Sequence, residues 1–455
     1  MPNKSKTVLI ILVSVLVLGA TTAMAKVSAE EAQKLKGELT PIGAEKAGNA
    51  DGTIPAWTGE GVEVPAGWGG DGSHLPDPFP EDKPLFVITP QNMDQYADKL
   101  TDGEKGLFRT FPETFNMPVY KTRRVATYPD WLVENTFQAA TNVVLEEGGN
   151  GVIGAKAAIP FPIPQDGAEA VWNHLLRFRG VFMRVNKPQF VPDAAGRYVE
   201  DNVLMENYFP YFDPDSTDET KLGLLRVLQT KPARVAGDIY LIHDSMNPFQ
   251  SPRNAWRYFA GQRRVRRAPV LAYDTPIPPS KGIRTFDSHD LFYGSPDRYD
   301  WTLVGKKEIY VPYNAYRLGS PDLKVSDVLH KGHVNPEHTR YELHRVWVVE
   351  GNLKKGNRHI YPKRVMYLDE DSWSAVISDM YDERGNIWRV AMGHLVLFWD
   401  VPVLFYQTEV HHDLTSRLYN ATSIMNNSPK GFSFQQAPPG MAYFSPAALR
   451  RSGVR

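Results

Sequence analysis

The sequence predicts a mainly β protein with some α structure: an incomplete antiparallel β-barrel, made of a curved meander sheet that a few helices fill or cover, behind a long irregular N-terminal arm. Three observations lead to this class. Residues 340–399 alternate β-branched and aromatic runs with short clusters of turn residues. Residues 41–84 hold nine Gly and seven Pro, with Trp57, Trp68 and Phe79 spaced among them. The segment Asp166 to Phe178 (DGAEAVWNHLLRF) is the strongest helical pattern in the chain.

The meander is justified by its breaks. Gly356-Asn357 supplies residues that tolerate positive φ between RYELHRVWVVEG and HIYPKRVMYLD, and residues 382–386 (DERGN) do the same before IWRVAMGHLVLFW. Alternation along the first strand sets Tyr341, Leu343, Trp347 and Val349 on one face and Arg340, Glu342 and His344 on the other, so one side is expected to be dry. In the last strand Leu395, Leu397 and Trp399 oppose Val390, Val396 and Phe398, the pattern of a strand covered on both faces. A curved sheet with a covered back and an apolar concavity satisfies both strands.

The helices follow from caps and periodicity. Ser28 with Glu31 forms a capping-box pattern for residues 28–36, which Gly37 ends. Residues 89–108 suit one or two helices, and Pro129 at N1 opens another through Ala140. In the best helix Asp166 caps and Glu169 completes the box, while Ala170, Trp172, Leu175, Leu176 and Phe178 gather mostly on one side to cover a sheet. Strands are predicted around 181–186, 197–207, 234–243, 256–260, 263–273 and 301–311; residues 216–230 read equally as helix or strand. An arm rich in tryptophan is expected to dock on the main body, since a flexible linker lacks large aromatics.

Composition narrows the function. Lys4 and Lys6, an apolar run from Val8 to Ala20 and the small-residue pattern Ala23-Met24-Ala25 read as a secretory signal peptide, so the mature chain is expected to start near Lys26 and be exported. No later run is apolar enough to span a bilayer, and an integral membrane protein is not expected. With no cysteine, disulfides, thiolate metal sites, a catalytic thiol and N-terminal lipidation are all excluded. Losing Lys4 and Lys6 takes Lys+Arg from 51 to 49 against 52 Asp+Glu, a net charge of about −3, which disfavours nucleic acid as a partner. The expected division is a signal peptide (1–25), an N-terminal helix with arm and packing helices (26–125), and a β domain (126–455).

Catalytic motifs are weak. Gly67 to Gly72 and Gly149 to Gly154 match the dinucleotide pattern, but the first lies in the Gly/Pro arm and the second runs into Pro160, Pro162 and Pro164 where a helix is required. Neither a GxSxG elbow nor a P-loop is present, and no catalytic residue or cofactor is assigned. His330, His333, His338 and His344, with Glu409, His411, His412 and Asp413, have no spacing of a helix-borne ligand pair, so no metal is assigned.

The unusual stretch is WRYFAGQRRVRRAPVLAYD, 256–274. On a strand Arg264 and Arg266 point one way and Arg263 and Arg267 the other. Either carboxylates such as Asp238, Asp274, Glu308 or Glu342 pair with the inward set, or the four form a cationic rim for an anionic headgroup or an acidic partner.

These residues carry a resemblance. LTPIGAEKAGNADGTIPAW (39–57), IPFPIPQDGAEAVWNHLLR (159–177), WRYFAGQRRVRRAP (256–269), YDWTLVGKKEIYVPYNAY (299–316) and RYELHRVWVVEG with RHIYPKRVMYLDEDSW (340–373) resemble the proteobacterial domain-of-unknown-function family 1329 over nearly the whole mature chain. The resemblance implies a fold like the lipoprotein carriers LolA and LolB, with acyl chains held in an apolar cavity. It also implies work beside an RND-type inner-membrane exporter and outer-membrane barrel proteins. It carries no catalytic residues. The function expected is a periplasmic carrier or adaptor for a hydrophobic, lipid-like molecule, and not an enzyme. The alternatives are an interaction subunit of an envelope complex with a filled core, and a hydrolase with an unrecognised site. Trp256, Tyr258, Tyr341, Leu343, Trp347, Leu395, Leu397 and Trp399 are the residues expected to line the cavity, with Arg263, Arg264, Arg266 and Arg267 at its rim.

Overall fold

The turn-punctuated runs become seventeen strands among the described residues, fifteen of them in one open sheet. The computed structural model describes residues 27–268, 273–434 and 437–452; the predicted signal peptide lies outside the described residues. In chain order the strands are β1 (Phe86–Ile88), β2 (Met117–Val119), the small hairpin β3 (Val144–Leu145) and β4 (Val152–Ile153), β5 (Phe182–Phe190), β6 (Asp201–Tyr208), β7 (Lys221–Lys231), β8 (Ile239–Ser245), β9 (Asn254–Phe259), β10 (Arg264–Arg267), β11 (Tyr299–Pro312), β12 (Tyr341–Leu353), β13 (Lys363–Asp369), β14 (Ala375–Tyr381), β15 (Ile387–Phe398), β16 (Val403–Asp413) and β17 (Leu418–Thr422).

Two antiparallel meanders make up the sheet. One runs β12 to β17 and the other β5 to β10; β17 joins them by pairing with β5. Strand β11 pairs along β12, and β2 meets β12 in parallel at Val119 and Tyr341, so the sheet is mixed and does not close into a barrel. Residues 216–230, ambiguous in sequence, contain most of β7. An arginine in its apolar run explains the ambiguity: Arg226 sits opposite Glu206 of β6 and pairs with it at 2.6 Å. Between β13 and β14 the chain reverses at residues 370–374 with Trp373 at φ 59°, a turn that the sequence signals missed because no glycine marks it.

The helices are α1 (Ala29–Ala32), α2 (Asp102–Thr110), α3 (Asp130–Asn142), α4 (Gly167–Leu175), α5 (Val325–Val328) and α6 (Pro446–Ser452). Ser28 caps α1, and Pro129 is the N-cap of α3, one position before the predicted N1. Asp166 caps α4 through the Glu169 N–H, but the Glu169 carboxylate reaches the N–H of Gln165 and not that of the cap. At Gly167 a Cβ would stand 2.6 Å from the backbone of Trp301, which is why a glycine opens the helix lying on β11. Buried His174 on α4 ties the two halves: its Nδ1 accepts the N–H of Ala375 and its Nε2 meets the carbonyl of Phe292 at 2.9 Å.

The second face of β12 is a correction to the one-dry-side expectation. Both faces are buried, and Glu342 and His344 are 0% and 1% exposed. The arm and the 120–124 segment cover that side. Asp82 of the arm takes Arg123 at 2.6 Å and Arg340 at 2.8 Å, and these bonds hold its carboxyl at about 2. Trp57 donates to the carbonyl of Ala126 and stacks on Tyr128, while Trp68 packs edge-on against Trp399 at 5.2 Å.

Candidate functional site: a cavity under the second meander

Period-2 alternation sends every second side chain of β5 to β9 to one face. On it lie Lys187 and Gln189; Asp201, Val203 and Met205; Leu225, Val227 and Gln229; Tyr240, Ile242 and Asp244; and Arg257. The segment from Ile277 to Tyr293 arches across this face without filling it, leaving a cavity of about 360 Å³ whose surface is mostly apolar. That volume falls within the range of ligand pockets, about 300–1,000 Å³. Pro278 and Pro279 open a 3₁₀ turn, Pro278–Ser280, and both border the cavity.

Polar groups stand on both flanks of the aliphatic floor. On the β9 side each arginine has its own carboxylate: Arg253 with Asp244 at 2.6 Å and Arg257 with Asp238 at 2.7 Å. At one strand end Asp201 accepts the side-chain amides of Gln189 and Gln229, both at 2.9 Å, and burial raises its carboxyl. Exposed Arg234 stands at that end with no ion pair among the described residues. On the β17 side Lys187 and Arg284 share Glu409, at 2.6 and 3.7 Å.

None of the eight predicted lining residues borders this cavity. Trp256 and Tyr258 flank Arg257 on β9, so alternation turns them to the back of the sheet, where Tyr258 packs with Leu241, Phe444 and Leu449 beneath α6. Tyr341, Leu343, Leu395 and Leu397 are buried in the filled core of the other meander. Trp347 stacks on Trp373 at 6.1 Å, and Trp399 on Tyr316 at 5.8 Å. The alternation of β6 to β8 carried a signal for the residues that border the cavity, but nothing local said which of its faces stays uncovered.

Arg264, Arg266 and Arg267 form the exposed strand β10 at the open edge of the sheet, with Arg263 at φ 51° leading into it; residues 269–272 of the predicted strand lie outside the described residues. None of the four makes an ion pair among the described residues. Arg266 bonds Gln262 and Arg267 bonds Asn254. Asp238 and Glu342, two of the expected partners, are held by Arg257 and Arg340. Arg266 sits opposite Arg257 and Arg264 opposite Phe259, so these two share the cavity's face of the sheet.

The histidine groups read from sequence are reorganised. His411 and Glu409 come together at 3.6 Å, but their company is His289 and Asp290 from the arch. His344 lies by Asp369 and Asp371 and stacks on Tyr313 at 3.9 Å.

The match to a family model for a protein of unknown function, DUF1329, spans residues 87–450. The chain belongs to that family. It is 46% identical over 440 residues, 96% of each chain, to the uncharacterized protein PA3922 of Pseudomonas aeruginosa. Among solved structures, a DUF1329 family protein from Desulfovibrio piger is similar at TM-score 0.41 and 13% identity, over 60% of this chain and 92% of that one. A LolA superfamily protein from Nitrosomonas europaea is similar at TM-score 0.37 and 10% identity, over 62% and 98%. These likenesses are distant, and the functional reading rests on the cavity of this DUF1329 chain itself.

Proposed function

We propose that this protein is a carrier or adaptor that shields a hydrophobic, lipid-like molecule in the periplasm, without catalysing a reaction. The observation that carries the reading is the cavity of about 360 Å³ between β5–β9 and the 277–293 arch, floored by Val203, Met205, Leu225, Val227 and Ile242. Burial of apolar ligand surface, at about 25 cal/mol per Å², gives affinity without a dedicated recognition motif. This is consistent with a sequence that names no ligand. An RND-type exporter and outer-membrane barrel proteins are the proposed partners. Arg264 and Arg266, exposed on the cavity's side of the sheet edge, are proposed to form a cationic approach for them or for an anionic ligand.

The test uses delipidated protein and a neutral fluorescent reporter of apolar pockets, N-phenyl-1-naphthylamine, displaced by dodecanol. Wild type is expected to bind the reporter and release it to the alcohol, and Leu225→Trp, which fills the cavity, to lose both. Unchanged binding in a folded Leu225→Trp protein would move the ligand elsewhere. No binding by wild type would reject the carrier reading.

A further inference from the structure

The β17 flank of the cavity contains a charge imbalance that the protein does not itself resolve. Asp290 and Glu409, both fully buried, lie with His289 in one cluster whose ligating atoms are within 4.8 Å of one another. Around them stand four cationic side chains: Arg177 at 2.7 Å and Arg179 at 2.5 Å from Asp290, Lys187 at 2.6 Å and Arg284 at 3.7 Å from Glu409. Burial opposes ionisation of the two carboxyls, but the surrounding cations outweigh it and hold both well below their usual range. Burial also keeps His289 and His411 neutral at pH 7, each near 4. Two negative charges therefore face four positive ones. The arginines do not relieve the excess by losing protons, because burial lowers Arg179 and Arg284 only from a very high starting value.

The same imbalance disfavours a divalent cation at His289, Asp290 and Glu409, since their oxygens already face four cations and another charge of that sign adds repulsion. An anion is the complement. Three side chains of this flank border the cavity: Arg284 and Thr422, whose Nε and Oγ1 are buried without a hydrogen-bond partner among the described residues, and Lys187 of β5, whose ammonium is paired with Glu409. An unpaired buried donor is costly unless a ligand accepts from it.

We infer that the cavity takes an amphiphile with a compact anionic head, a carboxylate or a phosphate monoester, its head on Arg284, Thr422 and Lys187 and its chain along the Val203–Ile242 floor. This inference rests on the carrier reading and specifies its ligand. The head is a buried one, distinct from the exposed arginines of β10.

The experiment is displacement of N-phenyl-1-naphthylamine from delipidated full-length protein by dodecanoate, dodecyl phosphate and dodecanol at pH 7.5. At least one of the two anions is expected to displace at about tenfold lower concentration than the alcohol, as charge-assisted hydrogen bonds provide. Whichever anion is favoured names the head. Arg284→Gln is expected to bring that anion to within about threefold of dodecanol and Arg284→Lys to restore most of the difference, while Arg264→Gln with Arg266→Gln leaves it in place. Because the wild-type comparison needs no variant, misfolding of Arg284→Gln does not decide the outcome. Equal displacement by anions and alcohol in wild type overturns the anionic head and leaves the carrier standing. Loss of the preference in the β10 double variant, with Arg284→Gln unaffected, moves the head to the rim and also overturns the inference. No displacement by any of the three overturns both.

Discussion

The two meanders share antiparallel order and alternation, yet the β12–β16 face under α2 and α4 is filled with side chains while the β5–β9 face under the arch holds a cavity. The β12–β16 sheet is covered by α2, α4 and the arm, whose aromatic side chains interlock with it; Trp373 is fully buried, stacks on Trp347 and donates to the carbonyl of Ile42. The β5–β9 sheet has α6 behind it, and among the described residues its other face lies under the 277–293 arch. A helix brings a side chain down onto a sheet at every turn. The 277–293 arch instead sets Ile277, Phe286, His289 and Tyr293 along the cavity wall and leaves the space between them and the sheet open. Whether a face becomes core or cavity is thus decided by its cover, not by its strands.

The largest effect should separate the halves by stability. Trp373→Ala removes a filled-core aromatic and is expected to cost about 3–5 kcal/mol, read from urea unfolding. A loss below about 1 kcal/mol would show that this half is loosely packed as well.

Acid comes next, and the sign follows from burial. His394 on β15 is fully buried, and burial alone lowers it to about 3. The unfolded chain then binds a proton near pH 6.5 that the folded chain refuses, so stability is full above that value and falls as pH drops toward 3. The single site is worth on the order of 3 kcal/mol between pH 7 and 4. Chemical denaturation at both pH values should show wild type losing more stability than His394→Leu; parallel losses would place the acid sensitivity elsewhere.

Filling substitutions sharpen the contrast directly. Leu395→Trp, in the solid half, is expected to lower stability by about 1–3 kcal/mol through overpacking, whereas Leu225→Trp should change it by less than about 1 kcal/mol because there is room. Equal costs in thermal melts would mean that the hollow closes in solution.

The smallest effect is expected at the sheet edge. Replacing Arg264 and Arg266 by Gln should alter stability by no more than about 0.5 kcal/mol, since both are exposed and make no ion pair among the described residues. Charged side chains on an edge strand also block pairing with another copy, so the double variant is expected to self-associate more in sedimentation at low salt.

Much was legible in the sequence. Alternation and turn residues located the meander, Ser28 and Asp166 marked their helices, and spaced tryptophans indicated an arm that packs. Those features are local, written within a few residues of where they act. The missed turn at 370–374 was local too, but it relies on a tryptophan in the left-handed region, where sequence favours glycine.

What only the tertiary structure decided is where the cavity lies. Period 2 divides β9 into Arg257 on one face and Trp256 with Tyr258 on the other, but carries no sign for which face is covered; aromatic character pointed to the back, and the hollow lies in front. The charge cluster is further from local reading. Lys187 and Glu409 stand 222 residues apart and meet through the pairing of β17 with β5, with Arg284 and His289 carried in from the arch. Local composition sets what each segment can become, while burial and charge balance belong to surfaces that different segments make together.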